Sequence, residues 1–429
     1  MTHKTIKVGS LSRVEGEGAL TVHARDGRVT GMELRIYEPP RFFEALLRGR
    51  SHTEPPDITA RICGICPVAY QMSACQAVEA ACGIEVSGPL RDLRLLLYYG
   101  EWIESHTLHI YLLHAPDFLG YESGVAMAAD HRDLVEHGLA LKKAGNELVA
   151  AIGGRPIHPV NVKVGGFYRV PTRAELAPVA ERLRHARDIA RETVSWVAGF
   201  DFPDVDHDYT FLALRHPDEY AILSGSIATS TGEAFAVEEW PAHVTEAQVP
   251  YSTALHARLD GEIGYLVGPM ARYSLNSAQL CESARQAAAD AGLGADCRNP
   301  FRSIIVRAVE VLHACEKALR IIESYTEPET PAIPFEYRAT TGHGASEAPR
   351  GTLYHRYRVD IDGSIAEADI VPPTAQNQAR METDLLQLVE PRLHLPTDEL
   401  AALCERAIRN YDPCISCSAH FLDLHVDAQ

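Results

Sequence analysis

A chain of 429 residues with 46% hydrophobic content can bury a large core, as one large unit or as two or three closely packed ones. Its 40 Lys and Arg against 58 Asp and Glu give a net charge of -18, which excludes nucleic acid and anionic membrane surfaces as electrostatic partners. Residues 1–7 lack a charged segment leading into an apolar run, and no stretch of about 18 uncharged apolar residues occurs, so the chain reads as cytoplasmic, without a membrane span.

Residues 5–36 alternate apolar and polar positions around Asp26-Gly27, with Ile6, Val8, Leu20, Val22 and Val29 as inward candidates, which predicts an N-terminal β-hairpin or small sheet. A first cysteine pair occupies 61–67. From 67 to 198 the spacing is helical, with segments near 67–82, 89–119, 126–151 and 172–198, broken at Gly153-Gly154-Arg155-Pro156. The stretch 200–270, rich in Gly, Pro, Asp and β-branched residues, reads as short strands and loops. A helical core over 274–325 follows, with helical spacing at 274–291 and more strongly at 301–325, where Ile304, Ile305, Ala308, Val311, Leu312, Cys315, Ala318 and Leu319 share one face. Asp362-Gly363 sits between 352–361 and 364–371 and predicts a second hairpin over 352–371, because that dipeptide favours the positive φ angles of a tight turn. A last helix at 397–410 must end at Asp412-Pro413, where the second cysteine pair opens within 412–420. The pattern predicts an α+β fold, predominantly helical: a long central helix bundle with small antiparallel sheets and hairpins, organised as a single unit over 1–429.

Four of the ten cysteines form two C-x-x-C pairs, Cys63/Cys66 and Cys414/Cys417; Cys75, Cys82, Cys281, Cys297, Cys315 and Cys404 are scattered and read as reduced core residues. Thiols two residues apart can point into one site, and thiolate suits zinc, iron-sulfur clusters, copper or nickel. A structural zinc knuckle ordinarily closes over about 15 to 20 residues. Here 348 positions separate Cys66 from Cys414, a spacing that favours a metal buried at the heart of the fold. A thioredoxin-like dithiol is the weaker alternative, since neither pair lies in a strand-helix unit of that kind.

The motifs around these pairs resemble the large subunit of nickel-iron hydrogenases over nearly the full length. Beyond Arg61-Ile62-Cys63-Gly64-Ile65-Cys66-Pro67 and Asp412-Pro413-Cys414-Ile415-Ser416-Cys417-Ser418-Ala419-His420, they include Arg13-Val14-Glu15-Gly16, Gly153-Gly154-Arg155 with His158-Pro159, Gly165-Gly166, Gly268-Pro269 with Ala271-Arg272, Ala348-Pro349-Arg350-Gly351 and Pro373-Thr374. The resemblance implies the fold of that subunit and reversible heterolytic cleavage of dihydrogen to protons and electrons. It implies nickel held by all four cysteines, with Cys66 and Cys417 also bridging to an iron that carries carbon monoxide and two cyanides. Arg350, Asp117 and Asp412 would form a polar canopy over the metals. Thr374 and the Arg350 main chain would hydrogen-bond the cyanides, while Pro349 and Pro373 shape the pocket for carbon monoxide. Glu15 would accept the proton from the terminal thiolate of the second pair. Glu44, the Ile370 carbonyl and His420 would bind a structural magnesium or iron.

One position departs from many relatives, which carry histidine four residues after Cys66. Tyr70 stands there, and a phenol donates a hydrogen bond without switching charge near neutral pH. The first motif looks most like the cytoplasmic, multisubunit, NAD(P)-linked and sulfhydrogenase branch. No Gly-x-Gly-x-x-Gly follows a strand, so nucleotide would bind elsewhere. The implied partners are an iron-sulfur small subunit, diaphorase-type electron-transfer subunits, and a maturation peptidase with nickel-insertion proteins. Rival readings are a hydrogen-sensing regulatory protein and a structural-metal protein of the quinone-reductase lineage. The second is disfavoured because all four cysteines are kept. The first is disfavoured because residues 421–429 match a removable extension, cut between His420 and Phe421 once nickel is loaded. Intact-mass measurement of the active complex is expected to give a chain ending at His420, and a mass that retains 421–429 contradicts this processing.

Overall fold

The computed structural model describes residues 3–39, 42–261 and 263–420, so the expected cleavage after His420 and the tail 421–429 lie outside the described residues. The alternating N-terminal stretch forms β1 (His3–Val8), β2 (Gly18–Arg25) and β3 (Arg28–Ile36), an antiparallel sheet in that order. Asp26 and Gly27 turn it with φ of 49° and 79°, the pair of left-handed residues that a two-residue hairpin demands. Ile6, Leu20, Val22, Leu34 and Ile36 are buried against the body of the molecule.

The helical spacing becomes α1 (Phe43–Leu47), α2 (Pro67–Cys82), α3 (Gly88–Leu108), α4 (Arg132–Gly153) and α5 (Arg173–Ala198). Helix α4 ends at Gly153, and Gly154 takes φ 84°, so the Gly-Gly pair acts as the expected stop. After a short α6 (Pro269–Asn276), α7 (Ser303–Ser324) completes a bundle in which α3 packs on α4 and α7, and α5 packs on α4 and α7. Every residue assigned above to the apolar face of the 301–325 helix is buried. Two expected helices are interrupted. The 89–119 helix ends as α at Leu108 and continues through a π-helical turn, His109–His114. The 274–291 stretch breaks near Leu280, where the Cys281 N–H donates to His313 Nδ1 instead of continuing the helical ladder.

Short strands β4 (Leu212–Arg215), β5 (Ser226–Thr229) and β6 (Ala234–Phe235) form one sheet, and β7 (Val244–Gln248) pairs with β8 (Leu255–Leu259), within the region expected to hold strands and loops. The second hairpin is present and larger than expected: β9 (Thr341–Ala348), β10 (Gly351–Val359) and β11 (Ile365–Val371) form an antiparallel sheet, with Gly363 at φ 80° in the β10–β11 turn. Helices follow: α8 (Pro373–Val389), which the apolar spacing does not announce, α9 (Thr397–Arg409) and the single turn α10 (Ile415–Ser418).

Strand β9 lies directly on α2. It can do so because it carries glycine where it crosses the helix: a Cβ at Gly344 would meet Ser73 O at 2.4 Å and one at Gly342 would meet Ala77 O at 2.0 Å. These are main-chain contacts that no rotamer change relieves. Gly344→Val is expected to destabilise the chain by about 3 kcal/mol, read as a lower denaturant midpoint, whereas Gly64→Ala, with open space at its Cβ, is expected to leave the midpoint near wild type.

Candidate metal centre

Each half of the centre begins where a helix starts. Cys66 is the residue before α2, whose first position is Pro67, so the pair sits on a loop clamped by a rigid helix entrance. Cys414 precedes α10 and follows Asp412-Pro413, where Asp412 is held at φ 50°. The four sulfurs lie within 4.8 Å of one another, all in buried residues. Cys63 Sγ is 3.4 Å from Cys414 Sγ, and Cys66 Sγ is 3.5 Å from Cys417 Sγ. Cys414 and Cys417 approach to 2.7 Å, inside the contact distance of two uncharged sulfur atoms. The remaining six cysteines are free and buried, as expected of core thiols. Four soft donors converging on one buried point fit a thiophilic transition metal.

The cluster holds its protons unevenly. Hydrogen bonding with Cys414, Cys417 and Cys66 draws Cys63 well below the usual thiol range, aided by the Arg350 charge. Burial, then contact with the other sulfurs, drives Cys414 well above it, and burial pushes Cys417 up to about 11. For Cys66, hydrogen bonding with Cys414 acts downward, but Cys417, Cys63 and burial outweigh it and the thiol is raised.

Glu15 reaches this centre from the loop between β1 and β2. The Cys414 thiol donates to Glu15 Oε2 at 3.1 Å, and the Ser416 N–H donates to the same oxygen at 3.0 Å. The main chain is joined as well, Ile415 N donating to Glu15 O at 2.9 Å. Arg350 is 2% exposed; its Nε donates to Asp412 O at 2.9 Å, one Nη to Asp412 Oδ1 at 3.1 Å and the other to Ser105 Oγ at 3.2 Å. Burial works against its charge, but Asp412 and the sulfurs of Cys414, Cys66 and Cys63 hold it more firmly protonated than usual. The loop bearing it is pinned by Arg272, which donates to Ala348 O at 2.7 Å and Pro349 O at 2.9 Å and pairs with Glu310 and Glu347. This is the physical content of the Gly268-Pro269/Ala271-Arg272 motif.

Asp117 departs from the expected canopy. Its carboxylate pairs with Arg13 at 2.6 Å and Arg409 at 2.7 Å, and these two arginines hold it below the usual carboxylate range against burial, while Asp412 is the acidic partner of Arg350. Asp117 lies in the short helix that follows the π-helical turn, and Arg13 binds both Asp117 and the Leu113 carbonyl within that turn. Thr374 Oγ1 accepts the Cys414 N–H at 3.0 Å, and Pro373 beside Thr374 and Pro349 beside Arg350 are both buried. The Tyr70 hydroxyl is buried with no hydrogen-bond partner among the described residues; burial first, then the charges of Cys417, Cys66, Cys414 and Cys63, raise it well above the usual phenol value.

A second cluster borders the first. Glu44 Oε1 accepts the Ile370 N–H at 2.8 Å, and its Oε2 lies 3.0 Å from His420 Nε2, in a cleft also lined by Phe43, Ile62, Pro372 and Cys417. The structure adds Glu246, on β7, which sequence reasoning missed. Its Oε1 is buried with no hydrogen-bond partner among the described residues, and its carboxyl is pushed up to about 8 by burial, with Glu44 and Asp369 adding to the shift and His420 opposing it. Nothing local in Val244–Gln248 marks this residue; only its closeness in space to Glu44 and His420, whose charges act on it, does so.

The family model for nickel-dependent hydrogenases matches residues 41–136 and 249–420, which include all four cysteines. The chain belongs to the nickel-dependent hydrogenase family. It is 34% identical to sulfhydrogenase 1 subunit alpha of Pyrococcus furiosus over 98% of both chains, and 26% identical to the NAD-reducing hydrogenase HoxS subunit beta of Cupriavidus necator over 98% of this chain and 96% of that one. A crystal structure of an NAD+-reducing NiFe-hydrogenase in the H2-reduced state superposes with a TM-score of 0.87 at 26% identity, covering 97% of this chain and 99% of that one. The Ni-Fe-Se hydrogenase of D. vulgaris Hildenborough shares the fold at TM-score 0.79 and 22% identity. This hydrogenase is therefore an oxidoreductase, the catalytic large subunit, with a cysteine cluster for metal. Among the described residues, no helix is long and apolar enough to cross a membrane.

Metal must displace the protons that the raised thiols hold at neutral pH, so the affinity of the apoprotein for a thiophilic probe such as Cd²⁺ is expected to rise between pH 6 and 8, by about tenfold per pH unit for each proton displaced. Competition titration against a chelator of known pH dependence measures this, and a pH-independent affinity would mean that the four sulfurs are not the ligands.

Proposed function

We propose that this hydrogenase splits dihydrogen at a nickel-iron pair held by Cys63, Cys66, Cys414 and Cys417, with Cys66 and Cys417 bridging the metals and Cys63 and Cys414 on nickel alone. The observation that carries the reading is the meeting of four buried sulfurs with a carboxylate 3.1 Å from one of them. When bound, the metal pair, its iron bearing carbon monoxide and two cyanides, supplies the Lewis acidity that polarises dihydrogen. The protein supplies the rest. Cys414 Sγ takes up the proton and passes it to Glu15 Oε2, which the Ser416 N–H holds in line. The buried guanidinium of Arg350, clamped by Asp412, sets a fixed positive charge beside the sulfurs in a site that excludes water.

Thr374 accepts the Cys414 N–H, which leaves its own hydroxyl proton for a cyanide, together with the Arg350 main chain. Pro349 and Pro373 form apolar walls for carbon monoxide. The Tyr70 hydroxyl, lacking another partner among the described residues, suits a hydrogen bond to a metal-bound sulfur. Glu44, the Ile370 carbonyl and His420 would hold magnesium or iron, with Glu246 supplying further negative charge close by. Asp117 acts with Arg13 and Arg409 in fixing the segments on either side of the centre.

Electrons leave to an iron-sulfur small subunit and onward through diaphorase-type subunits to NAD(P); the name of the NAD-reducing relative supports the last step. An exposed apolar patch of Leu46, Val160 and Tyr168 beside Arg61, two residues from Cys63, suits the docking of that subunit. A maturation peptidase and nickel-insertion proteins act before assembly, in the cytoplasm.

Purified complex is expected to contain nickel and iron and to show infrared bands of bound cyanide and carbon monoxide; zinc without iron would overturn the proposal. Glu15→Gln keeps shape and removes the proton acceptor. It is expected to lower hydrogen oxidation and deuterium-proton exchange by about 10²-fold or more while nickel content and infrared bands stay at wild type.

A further inference from the structure

Helix α2 starts immediately after a metal ligand, and its leading amides need acceptors. The first turn of a helix leaves N–H groups without a partner inside the helix, and the preceding side chain ordinarily takes one of them. Pro67 has no N–H to place, so Val68 and Ala69 carry the donors nearest the ligand. Cys66 makes no side-chain cap, because its sulfur is turned toward Cys417 at 3.5 Å. A residue cannot both ligate a metal in the core and cap its own helix with one sulfur atom.

The acceptor comes from the neighbouring helix. Glu101 on α3 places Oε2 2.6 Å from the Val68 nitrogen and Oε1 3.1 Å from the Ala69 nitrogen. The side chain is 1% exposed. Glu79, Glu310 and Glu347 are also buried, but each is paired with arginine. Glu101 has no cation at ion-pair distance among the described residues; two amides at the positive end of a 16-residue helix are what it meets instead. Burying a carboxyl that way is costly, and directed amide donors at a helix start are one of the few environments that offset the cost.

We propose that Glu101 is a positioning residue for the metal centre. By taking both leading amides of α2 it fixes the main chain at Cys66 and, across Gly64-Ile65, at Cys63, whose sulfur already accepts the Ile65 N–H at 3.2 Å. Both sulfurs then face Cys414 and Cys417 before metal arrives. The inference rests on reading these four cysteines as the nickel-iron ligands.

The test compares wild type, Glu101→Gln and Glu101→Leu as purified complexes, by nickel per chain after chelator dialysis and by the infrared bands of bound cyanide and carbon monoxide. Glu101→Leu, which leaves both amides without an acceptor, is expected to lose about tenfold or more in nickel retention, the range that ligand-orienting partners command. Whatever metal it keeps is expected to show displaced or doubled bands. Glu101→Gln retains one carbonyl acceptor and is expected to recover most of the nickel with a smaller displacement. If Glu101→Leu loads nickel as wild type does, or if its loaded fraction gives unshifted bands despite lower yield, Glu101 serves only folding and the proposal fails. Absence of the bands in wild type itself would instead overturn the nickel-iron reading.

Discussion

Two cysteine pairs 351 residues apart must bring four sulfurs to one buried point, and the organisation of the chain follows from that closure. Neither pair is placed by its own neighbours alone. The first is set by the entrance to α2 and the second by a strained turn into a single helical turn. The N-terminal segment is sewn to the C-terminal one through main-chain pairing of Glu15 with Cys414. The π-helical turn after α3 contributes on the far side. His109 bonds Arg409 O and His114 bonds Asn410 Oδ1, so a local widening of the helix grips the residues leading to Asp412.

Closing the chain this way requires burying charge. Arg272, Glu310, Glu347, Arg350 and Asp412 are all nearly inaccessible, and buried ion pairs contribute little net stability once desolvation is counted. What they contribute is geometry. Arg272 holds the carbonyls of Ala348 and Pro349, and Arg350 holds both the carbonyl and the carboxylate of Asp412, a residue in the left-handed region directly before proline. Such a conformation costs about 1–3 kcal/mol and persists only where its surroundings determine it. The strain sits one residue from Pro413 and two from Cys414, so it sets the direction of the second pair.

The same economy of elements explains the cleft beside the centre. Glu44 on α1, Ile370 on β11 and His420 after α10 line one cleft with Cys417, and the charges of Glu44 and His420 act on Glu246 of β7. Tyr70 puts a phenol that burial keeps protonated beside the four sulfurs, where a titrating side chain would have changed charge.

The sequence by itself determined the N-terminal sheet, the boundaries of α2 and α5, the core face of α7 and the Asp362-Gly363 turn, because each rests on a period, a helix stop or a turn residue acting over a few positions, and its two C-x-x-C motifs marked the four cysteines that the fold brings together. It also carried the family, since its motifs recur in a fixed order. Other elements depended on packing. Helix α8 is hidden because Gln376, Asn377 and Gln378 are buried polar residues that break its apolar period. Strand β9, reading Thr-Gly-His-Gly-Ala-Ser-Glu-Ala, has little strand propensity and exists because its glycines fit against α2. Only tertiary structure decided the partners of the other charged groups: Asp117 goes to Arg13 and Arg409, Glu246 feels the charges of Glu44 and His420, and Glu101 caps α2. Coulomb and hydrogen-bond partners are chosen by distance in space, and no local period in the chain encodes that distance.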